Sequence, residues 1–92
     1  MVGQTAEAFL ELHYGKLLKL DLHGMILEEA KAELFNTLFH IDIKYKGILV
    51  VHGYHKGTVL KNYIRKEFAH KNVYKKVHVD ASQTILLLDM EK

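Results

Sequence analysis

Residues 46–68 read KGILVVHGYHKGTVLKNYIRKEF, a stretch that predicts a strand, a glycine-containing loop and a helix in succession. The apolar run at 48–51 is rich in branched side chains, which is typical of a strand buried on both faces. Gly53 and Gly57 bracket the loop, and glycine lets backbone N–H groups approach a ligand without an intervening Cβ. Thr58 suits the N-cap of the following helix, whose apolar positions recur at helical spacing.

Positive charge surrounds this loop. Lys56 lies within it, and Lys61 and Arg65 follow on the helix. Unpaired N–H groups and the dipole at a helix start favour a phosphate or a carboxylate there. The stretch therefore predicts an anion site, with an ordinary solvated basic helix face as the alternative. Tyr54 is suited to stacking on an unpaired base, or else it packs on the loop itself.

Charge is unevenly distributed along the 92 residues. Residues 1–46 hold 7 acidic and 5 basic side chains, whereas residues 47–92 hold 4 and 8. This asymmetry favours DNA or RNA as a partner, although an ordinary surface would also account for it. The absence of cysteine excludes disulfides and cysteine nucleophiles, and the apolar runs are too short for a membrane span, so we expect a cytoplasmic protein without membrane contact.

The preceding residues repeat the same pattern of strand, His-Gly and helix. A strand is predicted at 16–22 (KLLKLDL) and a helix at 25–39, with an apolar stripe on the helix. Strands joined through a helix run parallel, so His23 and His52 should emerge at the same carboxyl edge of the sheet, where such sheets bind ligands.

Two further strands, 74–80 and 84–88, follow with a tight connection that predicts a hairpin. In the first of them we expect Val77 and Val79 to face inward, and Lys76, His78 and Asp80 outward. The predicted fold is an α/β two-layer sandwich of order βαβαββ, with a mixed four-stranded sheet and two main helices.

The predicted domain covers residues 16–92. Residues 1–15 form an N-terminal extension, which contains a short helix at 5–14. A helix of that length is marginal in water on its own. The extension must therefore pack on the domain, fray, or dock on a second copy or a protein partner.

Two motifs carry a family resemblance. LDLHG at 20–24 and VHG at 51–53, the latter followed by LKNYIRKEF at 60–68, resemble the Smr (small MutS-related) domain. The resemblance implies a fold akin to the C-terminal domain of translation initiation factor 3, and a nucleic-acid role that includes nicking endonucleases on DNA or RNA. It places Asp21 and His23 in catalysis or substrate binding.

The second motif departs from the family pattern HGxGxG. Either His55 stands where the middle glycine would be, or the loop has one inserted residue. Lys61 replaces the family's arginine, which keeps the charge but gives up bidentate phosphate geometry.

The candidate catalytic residues are Asp21 and His23, with His52 assisting. The candidate nucleic-acid ligands are Gly53, Tyr54, His55, Lys56, Gly57, Thr58, Lys61 and Arg65. A carboxylate and an imidazole near a phosphate suit a metal ligand or a general base, whereas in the alternative Asp21 only caps the following turn. These residues indicate no particular cofactor, although a divalent metal such as magnesium suits this chemistry. A zinc site at His23, His52 and His55 is less favoured, because a glycine loop has no fixed ligand geometry.

Two functions follow from these residues. The first is a nicking endonuclease on DNA or structured RNA. The second is a non-catalytic nucleic-acid-binding or protein-docking module of the same fold. The intact LDLHG motif favours the first, and the altered glycine loop favours the second.

Overall fold

A computed structural model describes residues 6–53 and 58–89. Its helices are α1 (Ala6–Tyr14), α2 (Leu27–His40) and α3 (Thr58–Asn62), and α3 continues directly into a π-helical segment, Tyr63–Glu67. Its strands are β1 (Leu17–Asp21), β2 (Gly47–Val51), β3 (Val73–Asp80) and β4 (Gln83–Leu88). No helix within these residues is long and apolar enough to cross a membrane.

The four strands form one mixed sheet in the order β1-β2-β4-β3. β1 and β2 are parallel, with Leu17 opposite Gly47 and Asp21 opposite Val51. β4 runs antiparallel to both β2 and β3. The predicted small α/β fold with a mixed four-stranded sheet is confirmed, and its first two strands end side by side.

The main core lies between one face of the sheet and the helices α2 and α3. Apolar side chains at helical spacing on α2 meet alternate residues of the central strands, since side chains in a strand alternate between faces. The buried members of this core are Leu22, Ala30, Leu34, Leu38, Ile48, Val50, Leu60, Ile64, Phe68, Leu86 and Leu88. α2 and α3 are thereby fixed against the strands whose ends carry the candidate site.

A smaller apolar cluster occupies the opposite face of the sheet. Its buried members are Leu17, Leu49, Ile85 and Leu87, and Leu10 and Tyr14 of α1 pack against them. α1 therefore covers this face, which places helices on both sides of the sheet. The two-layer arrangement predicted for residues 16–92 did not include this helix, because the marginal N-terminal segment gave no indication of where it would dock.

β3 alternates as predicted, and its inward-facing valines lie on the α1 side of the sheet. Val77 and Val79 pack in the α1-side cluster and not in the main core. Lys76, predicted to face outward, reaches the opposite side, where its Nζ donates to the Phe68 carbonyl oxygen at 2.5 Å. β3 is an edge strand with register irregularities near both of its ends.

Deleting residues 1–15 should preserve cooperative unfolding but lower the free energy of unfolding by about 2–4 kcal/mol, because Leu10 and Tyr14 cover apolar side chains of the sheet. Urea denaturation measures this change. Phe9→Ala is the matched control, since Phe9 is an exposed residue of the same helix and its loss should have little effect. An unchanged midpoint in the deletion variant would contradict the packing role of α1.

Candidate active site

Three chain segments meet at the carboxyl edge of β1 and β2. The Leu22 N–H donates to the Val51 carbonyl oxygen at 2.8 Å, which keeps the two strands together to their ends. The Ser82 carbonyl oxygen, in the β3–β4 turn, accepts hydrogen bonds from the N–H groups of His52 (2.9 Å) and Gly53 (3.1 Å). The edge is therefore built from both predicted motifs and from the hairpin turn.

Asp21 and His23 form a direct pair at this edge. Nδ1–H of His23 donates to Oδ1 of Asp21 at 2.5 Å, and the His23 backbone N–H donates to the same oxygen at 3.1 Å. The side-chain hydrogen bond from His23 holds the pKa of Asp21 below its usual value, so the carboxylate is ionised at neutral pH. The imidazole is 68% exposed and the carboxylate 50%, which leaves the pair accessible to a ligand.

Gly53 brings the second motif against this pair. Its φ is 78°, a conformation that favours glycine. A Cβ built on Gly53 would lie 3.3 Å from the Cβ of His23, so the two residues are neighbours. The predicted meeting of the His23 and His52 segments at one edge is therefore what the structure shows.

His52 is placed differently from His23. It is 0% exposed, and both ring nitrogens have hydrogen-bond partners. Nδ1 lies 3.0 Å from the Gly53 carbonyl oxygen and Nε2 lies 3.0 Å from Oγ1 of Thr84. A carbonyl oxygen can only accept, so Nδ1 carries the proton and the neutral ring accepts the Thr84 hydroxyl at Nε2.

Arg65 completes this buried network. Its Nε–H donates to Oγ1 of Thr84 at 2.7 Å, and Nη2 donates to the carbonyl oxygens of Gln83, at 2.9 Å, and of Asp80. Arg65 lies in the π-helical segment, a rare winding that is often found at functional sites. Its guanidinium therefore holds the β3–β4 hairpin and, through Thr84, the buried ring of His52.

The β3–β4 turn is stabilised from within as well. Oδ1 of Asp80 accepts hydrogen bonds from the N–H and the hydroxyl of Ser82, at 2.8 and 3.0 Å. The Ser82 backbone N–H is the main cause of the lowered pKa of Asp80. The carbonyl oxygen of Ser82 is consequently fixed where it accepts from the edge of β2.

Two of the remaining predicted ligands lie in α3. Thr58 is the exposed first residue of that helix, and Lys61 is half-buried one turn later. Tyr54, His55, Lys56 and Gly57 lie outside the described residues, so their predicted contacts stay predictions. Within 6–53 and 58–89, no three histidine, aspartate or glutamate side chains are grouped as a metal site would require.

Thr84 and the Asp80–Ser82 turn were not predicted as parts of the site. Their partners are distant in sequence, and 32 residues separate Thr84 from His52. One signal was available: Thr84 is the only residue with a hydroxyl group in the strand QTILLL, and its side chain is fully buried. A buried hydroxyl requires a hydrogen-bond partner, which an apolar strand does not supply.

The free energy of unfolding should fall between pH 7.5 and pH 5.5. Burial, assisted by the charges of Arg65 and Lys61, holds the pKa of His52 below its usual value of 6.5. The unfolded chain therefore takes up a proton that the folded chain resists, and the stability present above about pH 6.5 is lost as the pH falls. The pKa values of Asp21 and Asp80 are lowered from 3.8, so by the same argument their contribution to the free energy of unfolding is lost at lower pH.

Urea midpoints measured across this window test the effect. His52→Gln removes the titrating ring, so its stability should vary less with pH than that of the wild type. Equal pH dependence in the two proteins would assign the titration to another group.

These features define a small α/β domain with an aspartate–histidine pair and a glycine turn at one edge of its sheet. The chain belongs to the Smr domain family, whose model matches residues 20–84. This is a family associated with nucleic-acid binding and nicking. No curated protein and no solved structure matches the chain, and the likeness to translation initiation factor 3 stays a prediction.

Proposed function

We propose that this protein binds nucleic acid and nicks it, by hydrolysing a phosphodiester bond in DNA or structured RNA. The observation that carries the proposal is the exposed Asp21–His23 pair, joined at 2.5 Å, beside Gly53. Membership of a family associated with nicking supports the same conclusion.

The pair is suited to activating a water molecule. Asp21 accepts the Nδ1 proton of His23, which fixes the tautomer and leaves the lone pair of Nε2 for proton uptake. Within the described residues, no hydrogen bond engages that nitrogen. In the proposed step, Nε2 accepts a proton from water as the oxygen attacks phosphorus, and the bond from phosphorus to the leaving oxygen breaks. The carboxylate stabilises the imidazolium that forms.

His52 takes a supporting part in this proposal. Its buried ring has both nitrogens engaged, so it acts on Gly53 and not on the substrate. The Gly53 carbonyl oxygen accepts from Nδ1, and because the peptide group is planar, this bond sets the direction in which the chain leaves Gly53. Loop 54–57 begins from there.

Phosphate binding is assigned to the loop and to the start of α3. The proposed phosphate ligands are the backbone N–H groups of Gly57 and Thr58, with Lys56 and Lys61 for charge. Tyr54 and His55 are proposed to contact a base. The N–H of Gly53, predicted as a ligand, already donates to the Ser82 carbonyl oxygen, so Gly53 contributes its turn and not a donor. Arg65 contributes positive charge while three of its N–H groups serve the hairpin. The proposed role of Arg65 is thus chiefly to position the β3–β4 hairpin at the edge of the sheet that carries the site.

A nicking assay tests the proposal. Supercoiled DNA and a structured RNA are incubated with the protein, with and without magnesium, because the carboxylate of Asp21 is the ligand type that magnesium prefers. Conversion of supercoiled to open-circular DNA, or specific cuts in the RNA, is the expected result. Binding without cleavage under every condition would replace the proposal with the non-catalytic binding module.

Affinity should fall steeply with salt, because the proposed contacts are mainly to phosphates. Replacing Lys56 and Lys61 with glutamine should weaken binding similarly for all sequences. It should also flatten the slope of log K against log salt concentration by up to about 1.4–1.8, the sum for two phosphate contacts. Lys31→Gln on α2, combined with Lys44→Gln before β2, is a control of equal charge change. An unchanged slope in the double variant would place the phosphate site elsewhere.

A further inference from the structure

A second basic region lies at the other end of the sheet from the Asp21–His23 pair. Between Asp42 and Asp80 the sequence contains nine lysine and arginine residues but a single acid, Glu67. The proposed site uses only the first part of this segment. Residues 69–79, AHKNVYKKVHV, hold three of the lysines and carry no acidic residue.

Some of these residues, including two of the lysines, line a groove of about 320 Å³ beside the start of β3. Its volume is within the range of small-molecule sites. Among the described residues that line it are Phe68, His70, Tyr74, Lys75 and Lys76, and none of the described lining residues is acidic. One carboxylate, that of Asp89, belongs to the same end of the sheet, where the Asp89 N–H donates to the Asn72 carbonyl oxygen.

The wall of the groove is rigidly built. The rings of Phe68 and His70 are stacked at 6.4 Å with an interplanar angle of 17°, and Phe35 packs edge-on against Phe68 at 5.4 Å. Nδ1 of His70 accepts the Asn72 backbone N–H at 3.1 Å. These aromatic groups are therefore held in place before any ligand binds.

The two lysines of the groove have different environments. Lys76 donates to the Phe68 carbonyl oxygen at 2.5 Å and lies over the Phe68 ring, and burial lowers its pKa. Lys75 is exposed, as is Tyr74, whose side chain is 66% accessible although it is large and partly apolar. Both residues line the groove, and an exposed aromatic ring and an exposed cation in one groove are suited to an unpaired base and its phosphate.

We propose that this groove is a second nucleic-acid contact, which takes an unpaired nucleotide of the same strand that the Asp21–His23 edge binds. Tyr74 stacks on the base and Lys75 neutralises a phosphate. The inference rests on the proposed function, because it needs a nucleic acid at the first edge. The lysines favour an anionic partner. The exposed ring of Tyr74 favours a nucleotide over other anions, because the base can stack on the ring.

The sheet fixes the separation of the two contacts. Tyr74 lies near the start of β3, whereas Asp80, at its end, adjoins the turn that contacts His52 and Gly53. Six residues of strand correspond to about 20 Å at 3.3 Å per residue. Asp21 lies on β1, three strand spacings from β3, which adds about 14 Å across the sheet at about 4.8 Å per spacing, so the two contacts are roughly 24 Å apart. At roughly 3.4 Å per stacked nucleotide, a trinucleotide covers about 7–10 Å and cannot span the two contacts, whereas a 12-nucleotide strand covers about 37–40 Å.

A length series tests the inference. Affinities of single-stranded oligonucleotides of about 3, 6, 9 and 12 nucleotides are measured for the wild type and for Tyr74→Ala. We expect the wild type to gain affinity once the strand reaches both contacts, and Tyr74→Ala to lose roughly 5- to 150-fold for the 12-nucleotide strand but little for the trinucleotide. Tyr74→Phe should retain most of the gain, because the ring is kept.

Phe39→Ala is the matched control, since Phe39 is an exposed aromatic residue on α2 outside the groove. It should leave the length dependence unchanged. Identical length profiles for the wild type and Tyr74→Ala, or equal losses at every length, would overturn the second contact while leaving the first intact. Failure of the wild type to bind any oligonucleotide or the structured RNA would instead overturn the proposed function, and the inference with it.

Discussion

Asp21→Asn and His23→Ala should each lower cleavage by roughly 10²–10⁴-fold, the usual contribution of a positioned acid or base. Asparagine cannot stabilise the imidazolium as a carboxylate does, and alanine removes the group that takes up the proton. Affinity for the nucleic acid should change little, because neither side chain is a main phosphate cation. The comparison requires cleavage and binding to be measured on the same preparations.

His40→Ala is a suitable control for these variants. His40 is also an exposed histidine whose Nδ1 has a local hydrogen-bond partner, the Asn36 carbonyl oxygen, but it lies at the end of α2. Its loss should not affect cleavage. Undiminished cleavage by the Asp21→Asn, His23→Ala double variant would show that the activity arises from a contaminant or from another site.

Thr84→Val should lower the free energy of unfolding by about 1–3 kcal/mol, although the two side chains have nearly the same shape. Valine cannot donate to Nε2 of His52 or accept from Nε–H of Arg65, so a fully buried ring nitrogen loses its partner. The same change should reduce nucleic-acid affinity, because Gly53 and the hairpin turn lose their shared anchor.

Two measurements distinguish this effect from a simple packing defect. Nitrogen chemical shifts of the His52 ring report its tautomer, which should be Nδ1–H in the wild type and should shift in Thr84→Val. Thr84→Ser keeps the hydroxyl and loses one methyl group, so it should retain the wild-type ring signals at a cost of about 1 kcal/mol. Unchanged ring signals in Thr84→Val would show that the hydroxyl does not hold His52.

Local sequence patterns were sufficient to predict the strands, the principal helices and the edge at which the two His-Gly motifs meet. The Asp21–His23 contact joins residues two positions apart, so the strand alternation and the turn after β1 place them together. The parallel crossover predicts that β1 and β2 end at the same edge, and the observed register, with Asp21 opposite Val51, brings Gly53 beside His23.

The roles of Arg65 and His52 could not be predicted from local sequence patterns. Arg65 has the spacing of an exposed cation, but its hydrogen bonds go to residues 15, 18 and 19 positions further along the chain. Which face of an edge strand turns toward which helix is also a tertiary property. Strand alternation therefore predicts that the valines of β3 face inward, but not which of the two apolar clusters they join.

The strand order also constrains how the molecule is assembled during synthesis. β4 is the last of the four strands among the described residues, yet it lies between β2 and β3 in the middle of the sheet. Until β4 has been synthesised, no strand joins β3 to β2. The pairings that then complete the sheet connect residues far apart in sequence, and such pairings form slowly. Thr84 arrives with that strand, so the buried bond to His52 can form only when the whole sheet closes. A partly synthesised chain thus carries the Asp21–His23 pair without its support, and competence to bind should appear in a single step with folding.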